Sequence, residues 1–202
     1  MVSQKALPFH YVIESQSKGI TAWAGLLAIE GLFYGLGLDH SIRKRIRGRP
    51  TQGYSDVQQI LSLVLLNIAG GSAVDDIDDL EGDGGLSKRH ALAAARDLPR
   101  GKALFARWRA ATERSLYFGA CAAWWWISVL SLNIMTIFRR HVLPARWSRS
   151  RPRTLRFKVF AVAGRLVRHG RQWIVKISGH NPGGNLLEQA QWSLERFCRL
   201  QP

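Results

Sequence analysis

Residues 116–138 read LYFGACAAWWWISVLSLNIMTIF and contain no charged side chain over 23 positions. A run of this length predicts one helix, which either lies in a protein core or spans a bilayer. Membrane spans place tryptophan at their two ends, whereas the tryptophans at 124–126 lie in the middle of this run. Ser128 and Asn133 also lower its hydropathy. The pattern favours a buried core helix, with a membrane span as the alternative.

The sequence that follows this run is strongly basic. The chain carries a formal net charge of +15, and no Asp or Glu occurs between Glu113 and Glu188. A surface without acids to neutralise its arginines favours contact with a polyanion, and guanidinium groups suit bidentate phosphate contacts. We therefore predict a DNA-binding surface. Its candidate residues are Arg139, Arg140, Arg146, Arg149, Arg151, Arg153, Arg156, Lys158, Arg165, Arg168, Arg171 and Lys176.

The last third of the chain also predicts the only β-structure. Residues 154–178 are expected to be extended at least in part. A hairpin is predicted with Arg165–Arg168 as its first strand, a turn at His169-Gly170, and a second strand in which Trp173, Val175 and Ile177 alternate with Gln172, Ile174 and Lys176. A final amphipathic helix is expected at about 185–200, with Leu187, Ala190, Leu194 and Phe197 on one face.

The first third predicts helices. An apolar helix over 20–38 is expected to end near Gly35 or Gly37, and the run SIRKRIRGRP at 41–50 is expected to form a basic loop. Ser55 and Gln58 have the spacing of a capping box. They begin a predicted helix whose apolar residues repeat at helical intervals, and Gly70 and Gly71 are expected to end it. Ser72 is expected to cap a short helix through residue 80. Further helices are predicted over 88–97 and 102–114. The fold class is therefore mainly α, with a small β-hairpin element in the C-terminal part.

An acidic window, DDIDDLEGD at 75–83, is the one cluster with metal-binding potential. Asp75, Asp76 and Asp79 fit a DDxxD pattern that binds magnesium and diphosphate, but no second acidic motif is present. A calcium loop that starts at Asp79 has His90 where a bidentate Glu is required. The other interpretation is a solvated helix N-terminus and loop. We predict no catalytic residues and no metal ligands.

The cysteines and the N-terminus point to a cytoplasmic location. Cys121 and Cys198 have neither a CxxC spacing nor histidine neighbours, so we expect reduced thiols. The first residues do not form the apolar core of a signal peptide. No Gly-rich phosphate loop is present.

Two stretches resemble a bacterial family, the DDE insertion-sequence transposases with an RNase H-like core. The first begins GYSD at 53 and continues through AGGSAVDDIDDLEGDGGL to 86. The second comprises FGACAAWWWISVLSLNIMTIFRRHVLP at 118–144 and RTLRFKVFAVAGRLVRHGRQWIVKIS at 153–178. They are similar to the N-terminal helical region and the extreme C-terminus of the family.

The resemblance implies that an intact relative has a catalytic core between these stretches, in which two aspartates and a glutamate hold two Mg²⁺ ions. No such segment lies here. We therefore expect an internally deleted transposase, an incomplete remnant of the RNase H-like fold. It divides into an N-terminal helical region 1–87, a junction 88–115 and a C-terminal region 116–202.

The functional prediction is a transposase-derived DNA-binding protein, related to enzymes of DNA transposition and recombination but without cleavage or strand-transfer activity and without a cofactor in this chain. Its expected partners are DNA and, as further candidates, an intact transposase or a second copy of itself. The expected location is cytoplasmic and nucleoid-associated. The alternative is a small membrane protein that is anchored by residues 116–138 and presents a basic cytoplasmic face.

Overall fold

The computed structural model describes residues 9–14, 21–46, 55–72, 76, 77, 80, 83, 118–169, 172–178 and 182–199. In chain order the helices and strands are β1 (Phe9–Glu14), α1 (Leu26–Gly35), α2 (Leu38–Arg45), α3 (Asp56–Ala69), α4 (Phe118–Ile137), α5 (Pro152–Leu155), β2 (Gly164–His169), β3 (Gln172–Ser178) and α6 (Pro182–Arg199). Helix α4 continues as a π-helical turn, Phe138–Val142, and α5 as a second one, Arg156–Phe160. The fold is mainly helical with a C-terminal β-hairpin, as predicted.

Helices α1 and α2 are separated by a glycine in the left-handed conformation. Helix α1 ends at Gly35, as expected, and Gly37 has a φ of 65°. The predicted basic loop at 41–50 is wrong over its first half, because Leu38–Arg45 is helical. Asp39 lies in the first turn of α2 and three cations lie in its last turn, an order that stabilises the helix dipole at both ends. Residues 47–50 lie outside the described residues.

Helix α3 begins and ends as its sequence predicts. The Gln58 backbone N–H donates to Ser55 Oγ at 3.4 Å, and the Ser55 backbone N–H donates to Gln58 Oε1 at 3.0 Å, which completes the capping box. Gly70 ends the helix with a φ of 107°. One face of α3, which includes Leu61, Val64 and Ile68, is buried.

Helix α4 covers most of the charge-free run, and it packs on α3. Ile134 and Met135 are buried, and Asn67 Nδ2 of α3 donates to Ser128 Oγ at 3.0 Å. Trp125 and Trp126 lie on the opposite side and are 58% and 63% exposed. Only one side of this helix is therefore in the core. Within the described part of the chain, no helix is long and apolar enough to cross a membrane.

The hairpin is part of a three-stranded sheet in the order β1-β3-β2. Strands β2 and β3 are antiparallel, with Leu166 opposite Val175, and β1 adds to the other edge of β3 in parallel. Strand β1 was not predicted; its partner is some 160 positions away in the chain. Extended structure was predicted at least in part over 154–178, and it is found at 164–169 and 172–178, whereas 154–160 are helical and bury Leu155, Val159 and Phe160.

Two glycines allow the N-terminal part to approach the C-terminal part closely. Ala24 and Gly25 donate backbone hydrogen bonds to the carbonyls of Val162 and Phe160, at 3.1 and 3.2 Å. A Cβ on Gly25 would lie 2.0 Å from the Val159 carbonyl oxygen, and one on Gly164 would lie 2.7 Å from the Ala24 Cβ. Neither contact is sterically possible without a shift of the chain.

One hydrophobic core joins residues from both ends of the chain. Leu32 and Phe33 of α1 pack in the same cluster as Phe138, Phe160 and the buried face of α6. That face comprises Leu186, Leu187, Ala190 and Leu194, with Phe197 at its edge. The helix predicted at 185–200 and its apolar face are confirmed. The helices predicted at 88–97 and 102–114 lie outside the described residues.

Candidate nucleic-acid interface

The basic segment, residues 139–160, folds as a series of short helical turns on the surface of the core. Val142, Leu143, Leu155, Val159 and Phe160 point inward and are buried. A 3₁₀ turn, Ala145–Trp147, connects the end of α4 to the loop before α5. Because the apolar residues occupy the inner positions, most of the cations between them are directed outward.

Six cationic side chains of this segment are exposed. No ion pair joins any of them to an acid among the residues that the structure describes. Their nearest acids in sequence are Glu113 and Glu188. A surface of this kind produces a positive potential that neighbouring carboxylates do not cancel. The six are Arg140, Arg146, Arg149, Arg151, Arg153 and Lys158.

Two arginines of the same segment have structural contacts instead. Arg156 Nε donates to the carbonyl oxygen of Ile68 at 3.1 Å, near the C-terminus of α3. Its guanidinium occupies the space beside Gly70, where a Cβ would lie 2.4 Å from Nη1. Arg139 Nη1 donates to the carbonyl oxygen of Ser150 at 3.2 Å and so connects the end of α4 to the loop before α5. Both side chains are partly buried and less available to a ligand than the six.

The remaining predicted cations are on or beside the hairpin. Arg165 and Lys176 are directly opposite each other on β2 and β3, and both are partly buried with interaction partners of their own. Arg168 is on β2 and Arg171 follows it, but their side chains lie outside the described residues. The structure therefore brings six of the twelve predicted residues together on one exposed segment and gives Arg139 and Arg156 other contacts.

An exposed aromatic ring lies within the basic segment. Phe157 is 64% exposed, and the Arg153 guanidinium carbon lies 5.9 Å from its ring centroid. Phe157 was not among the predicted site residues, because it lies between Leu155 and Val159 in an apolar-rich run. The helical geometry of residues 152–160 directs Leu155 and Val159 to the core, and Phe157 to the other side.

The acidic window has a structural role where the structure describes it. Asp83 Oδ2 accepts hydrogen bonds from Thr21 Oγ1 and from the Ala22 backbone N–H, both at 2.8 Å. Asp76 Oδ2 accepts one from the Ser72 backbone N–H at 2.7 Å. Among the described residues, no three His, Cys, Asp or Glu side chains are grouped so that they could hold a metal ion. Asp75 and Asp79 of the DDxxD pattern lie outside the described residues.

The comparison with protein families matches the region that carries the six exposed cations. Residues 113–199 match the family described as Transposase DDE domain group 1. The match extends from just before α4 through the basic segment and the hairpin to the end of α6. No curated protein and no solved structure matches the chain. The matched residues, 113–199, make up less than half of the chain, and over this part the chain is similar to the transposase DDE domains of that family.

Proposed function

We propose that this chain binds DNA through the exposed cations of the basic segment and does not cut it. The observation that carries the proposal is the set of six outward-facing cations at 140, 146, 149, 151, 153 and 158, with no ion-pair partner in the described part of the chain. The match of residues 113–199 to a family of transposase DDE domains supports DNA as the polyanion.

The chemistry of these side chains fits contact with the phosphate backbone. Guanidinium groups donate paired hydrogen bonds to phosphate oxygens, and each neutralised phosphate releases condensed counterions. Such contacts position a protein on DNA without reading its bases. The expected binding is therefore strongly dependent on salt and weakly dependent on sequence.

A titration at several salt concentrations tests the proposal. Anisotropy of a labelled duplex is measured with the parent chain and with a variant that carries Arg146→Gln, Arg149→Gln and Arg151→Gln. The control carries Arg43→Gln, Lys44→Gln and Arg45→Gln, which remove the same charge from the exposed end of α2. We expect the slope of log affinity against log salt to fall by about 0.9 for each lost phosphate contact, and we expect the control to keep the parent slope. A parent that does not bind, or a control that loses as much as the variant, would contradict the proposal.

The acids of residues 113–199 support the proposal that the chain does not cut DNA. Residues 113–199 contain no Asp, and their three glutamates are Glu113, Glu188 and Glu195. Glu188 and Glu195 are on the same helix, α6, and Glu195 Oε1 accepts a hydrogen bond from Gln191 Nε2 at 3.1 Å. Two-metal strand cleavage, as the family resemblance implies it, requires acids from separated segments.

A nicking assay separates binding from cleavage. Supercoiled plasmid is incubated with the chain and Mg²⁺ at salt concentrations where the DNA is bound. We expect no conversion to the nicked circle. Conversion that is lost when Glu188→Gln and Glu195→Gln are introduced would show an active site on α6. Loss of activity with Asp75→Asn and Asp79→Asn would instead assign it to the acidic window.

The proposal also covers the origin of the chain and its protein partners. An internal deletion of a longer transposase explains why a family region without its acids follows the short junction at 88–115. A chain of this kind could compete with an intact transposase for DNA ends or pair with it or with a second copy. A cytoplasmic, nucleoid-associated location stays a prediction.

A further inference from the structure

We propose that Phe157, together with Arg153, forms a stacking site for one unpaired base, so that the basic segment binds single-stranded DNA in preference to duplex. This inference rests on the proposed DNA binding and specifies the form of DNA bound. It starts from a large aromatic ring that is 64% exposed in the middle of a cationic surface.

The ring is presented in a way that suits a base. Leu155, Val159 and Phe160 anchor the turn in the core with essentially no exposure, so the backbone that carries Phe157 is held firmly. Arg153 precedes Phe157 by four residues on the same helical turn, with its guanidinium carbon 5.9 Å from the ring centroid. Aromatic rings stack on bases of any sequence because every base has a π face, and a neighbouring Arg adds a contact to the base or its phosphate.

The surroundings distinguish Phe157 from the exposed tryptophans. Trp125 and Trp126 are on α4, which has no charged residue, so nothing near them in sequence attracts phosphate. Trp192 is flanked on α6 by two arginines but also by Glu188 and Glu195. Phe157 has the exposed cations Arg149, Arg151, Arg153 and Lys158 within eight positions and no acid at all in that interval.

Duplex DNA cannot use the ring in this way without distortion. Its bases are stacked on each other, so a base must first be unstacked, which costs a few kcal/mol. Single-stranded DNA supplies unstacked bases at little cost while offering the same phosphates. The cations of the basic segment would therefore bind the phosphates of both forms of DNA, whereas stacking on the Phe157 ring would strengthen the binding of single-stranded DNA alone.

The experiment compares one 20-nucleotide strand with its own duplex, each titrated against the parent chain, Phe157→Ala, Phe157→Leu and Phe157→Trp. The control is Trp126→Ala, which removes a ring of nearly the same exposure, 63%, outside the cationic segment. Circular dichroism melts confirm that each variant is folded. A 2-aminopurine base in the strand reports stacking by the loss of its fluorescence.

We expect Phe157→Ala and Phe157→Leu to weaken single-strand binding about 5- to 150-fold, to leave duplex binding nearly unchanged and to abolish the 2-aminopurine quenching. Phe157→Trp should retain both signals, and Trp126→Ala should behave as the parent. Salt-dependent binding of both DNA forms that is indifferent to Phe157 would overturn the stacking site and leave the proposed DNA binding intact. A parent chain that binds neither form would overturn the proposed function, and the stacking site with it.

Discussion

Helix α4 and the basic segment that follows it are the two most biased stretches of the chain, and they meet solvent in different ways. Both contribute to the same core, α4 through Ile134 and Met135 and the basic segment through Leu155 and Val159. The exposed side of α4 is apolar, with Trp125 and Trp126 in an edge-to-face contact at 5.0 Å. The exposed side of the basic segment carries six cations and one aromatic ring.

The difference shows what composition predicts and what it does not. A charge-free run does not have to be buried on all sides, since Trp125, Trp126 and Leu132 of α4 are exposed. A basic run does not have to be uniformly a ligand surface, because Arg139 and Arg156 are used to hold the segment in place. The exposed cations present functional groups that recognise phosphate, whereas the exposed face of α4 consists mainly of the apolar side chains of Trp125, Trp126 and Leu132.

The largest expected effect comes from the glycine contact that attaches the basic segment to the N-terminal part. We expect Gly25→Ala to destabilise the protein by about 3 kcal/mol or more, because the new Cβ must displace the Val159 carbonyl. This shift would also distort the hydrogen bonds that the backbone N–H groups of Ala24 and Gly25 donate. Urea unfolding followed by circular dichroism measures the change.

Gly37→Ala is the matched control for this substitution. Gly37 has open space around it and a φ of 65°, so the same added methyl group should cost only the conformational penalty, about 1–2 kcal/mol. Equal losses in the two variants would show that the contact between residues 24–25 and 159–162 does not hold the two parts together.

A smaller effect is expected from the arginine that is used for structure. We expect Arg156→Ala to reduce the free energy of unfolding by about 1–2 kcal/mol, because it leaves the Ile68 carbonyl at the end of α3 without its donor. Arg151→Ala, at an exposed position, should change it by less than about 0.5 kcal/mol. If the two variants unfold at the same urea concentration, the distinction between structural and exposed arginines is wrong.

The sequence predicted what depends on neighbours in the chain. The capping box of Ser55 and Gln58, the glycine end of α3, the apolar face of α6 and the hairpin are all encoded within a few residues. Strand β1 was missed because its pairing with β3 joins residues at opposite ends of the chain.

The same distinction applies to the candidate site. The positive charge of the segment could be counted from the sequence, but the division of its cations could not. Arg156 bonds to a carbonyl 88 positions away, and the exposure of Phe157 follows from which side of residues 152–160 meets the core. Helix α2 was not predicted either, because a run of cations is typical of a solvated loop. The helix signal is the acid in its first turn and the cations in its last turn, which stabilise the helix dipole.

The exposed face of α4 should matter little for stability. We expect Trp126→Ser to change the free energy of unfolding by less than about 1 kcal/mol, since the ring is 63% exposed and loses mainly its edge-to-face contact with Trp125. Ile134→Ala on the buried face of the same helix should cost about 2–5 kcal/mol. A Trp126→Ser loss as large as that of Ile134→Ala would mean that the outer face of α4 is covered.

The smallest expected effect is the pH dependence contributed by Cys198, whose Sγ lies against Gly35 where α6 packs on α1. Burial raises the pKa of this thiol above its ordinary value of 9.0, and the negative charge of Glu195 raises it further. Because the folded protein disfavours the thiolate, the thiol contributes stability that is fully present below pH 9 and is lost as the pH rises above it.

With Cys121→Ser as background, the Cys198 thiol should react with iodoacetamide more slowly at pH 8.5 than free cysteine does, since only the thiolate attacks. Glu195→Gln should lower the pKa and speed the reaction, whereas Glu188→Gln, at an exposed position on the same helix, should leave it unchanged. A thiol that reacts as fast as free cysteine in the folded chain would place Cys198 outside the contact between α1 and α6.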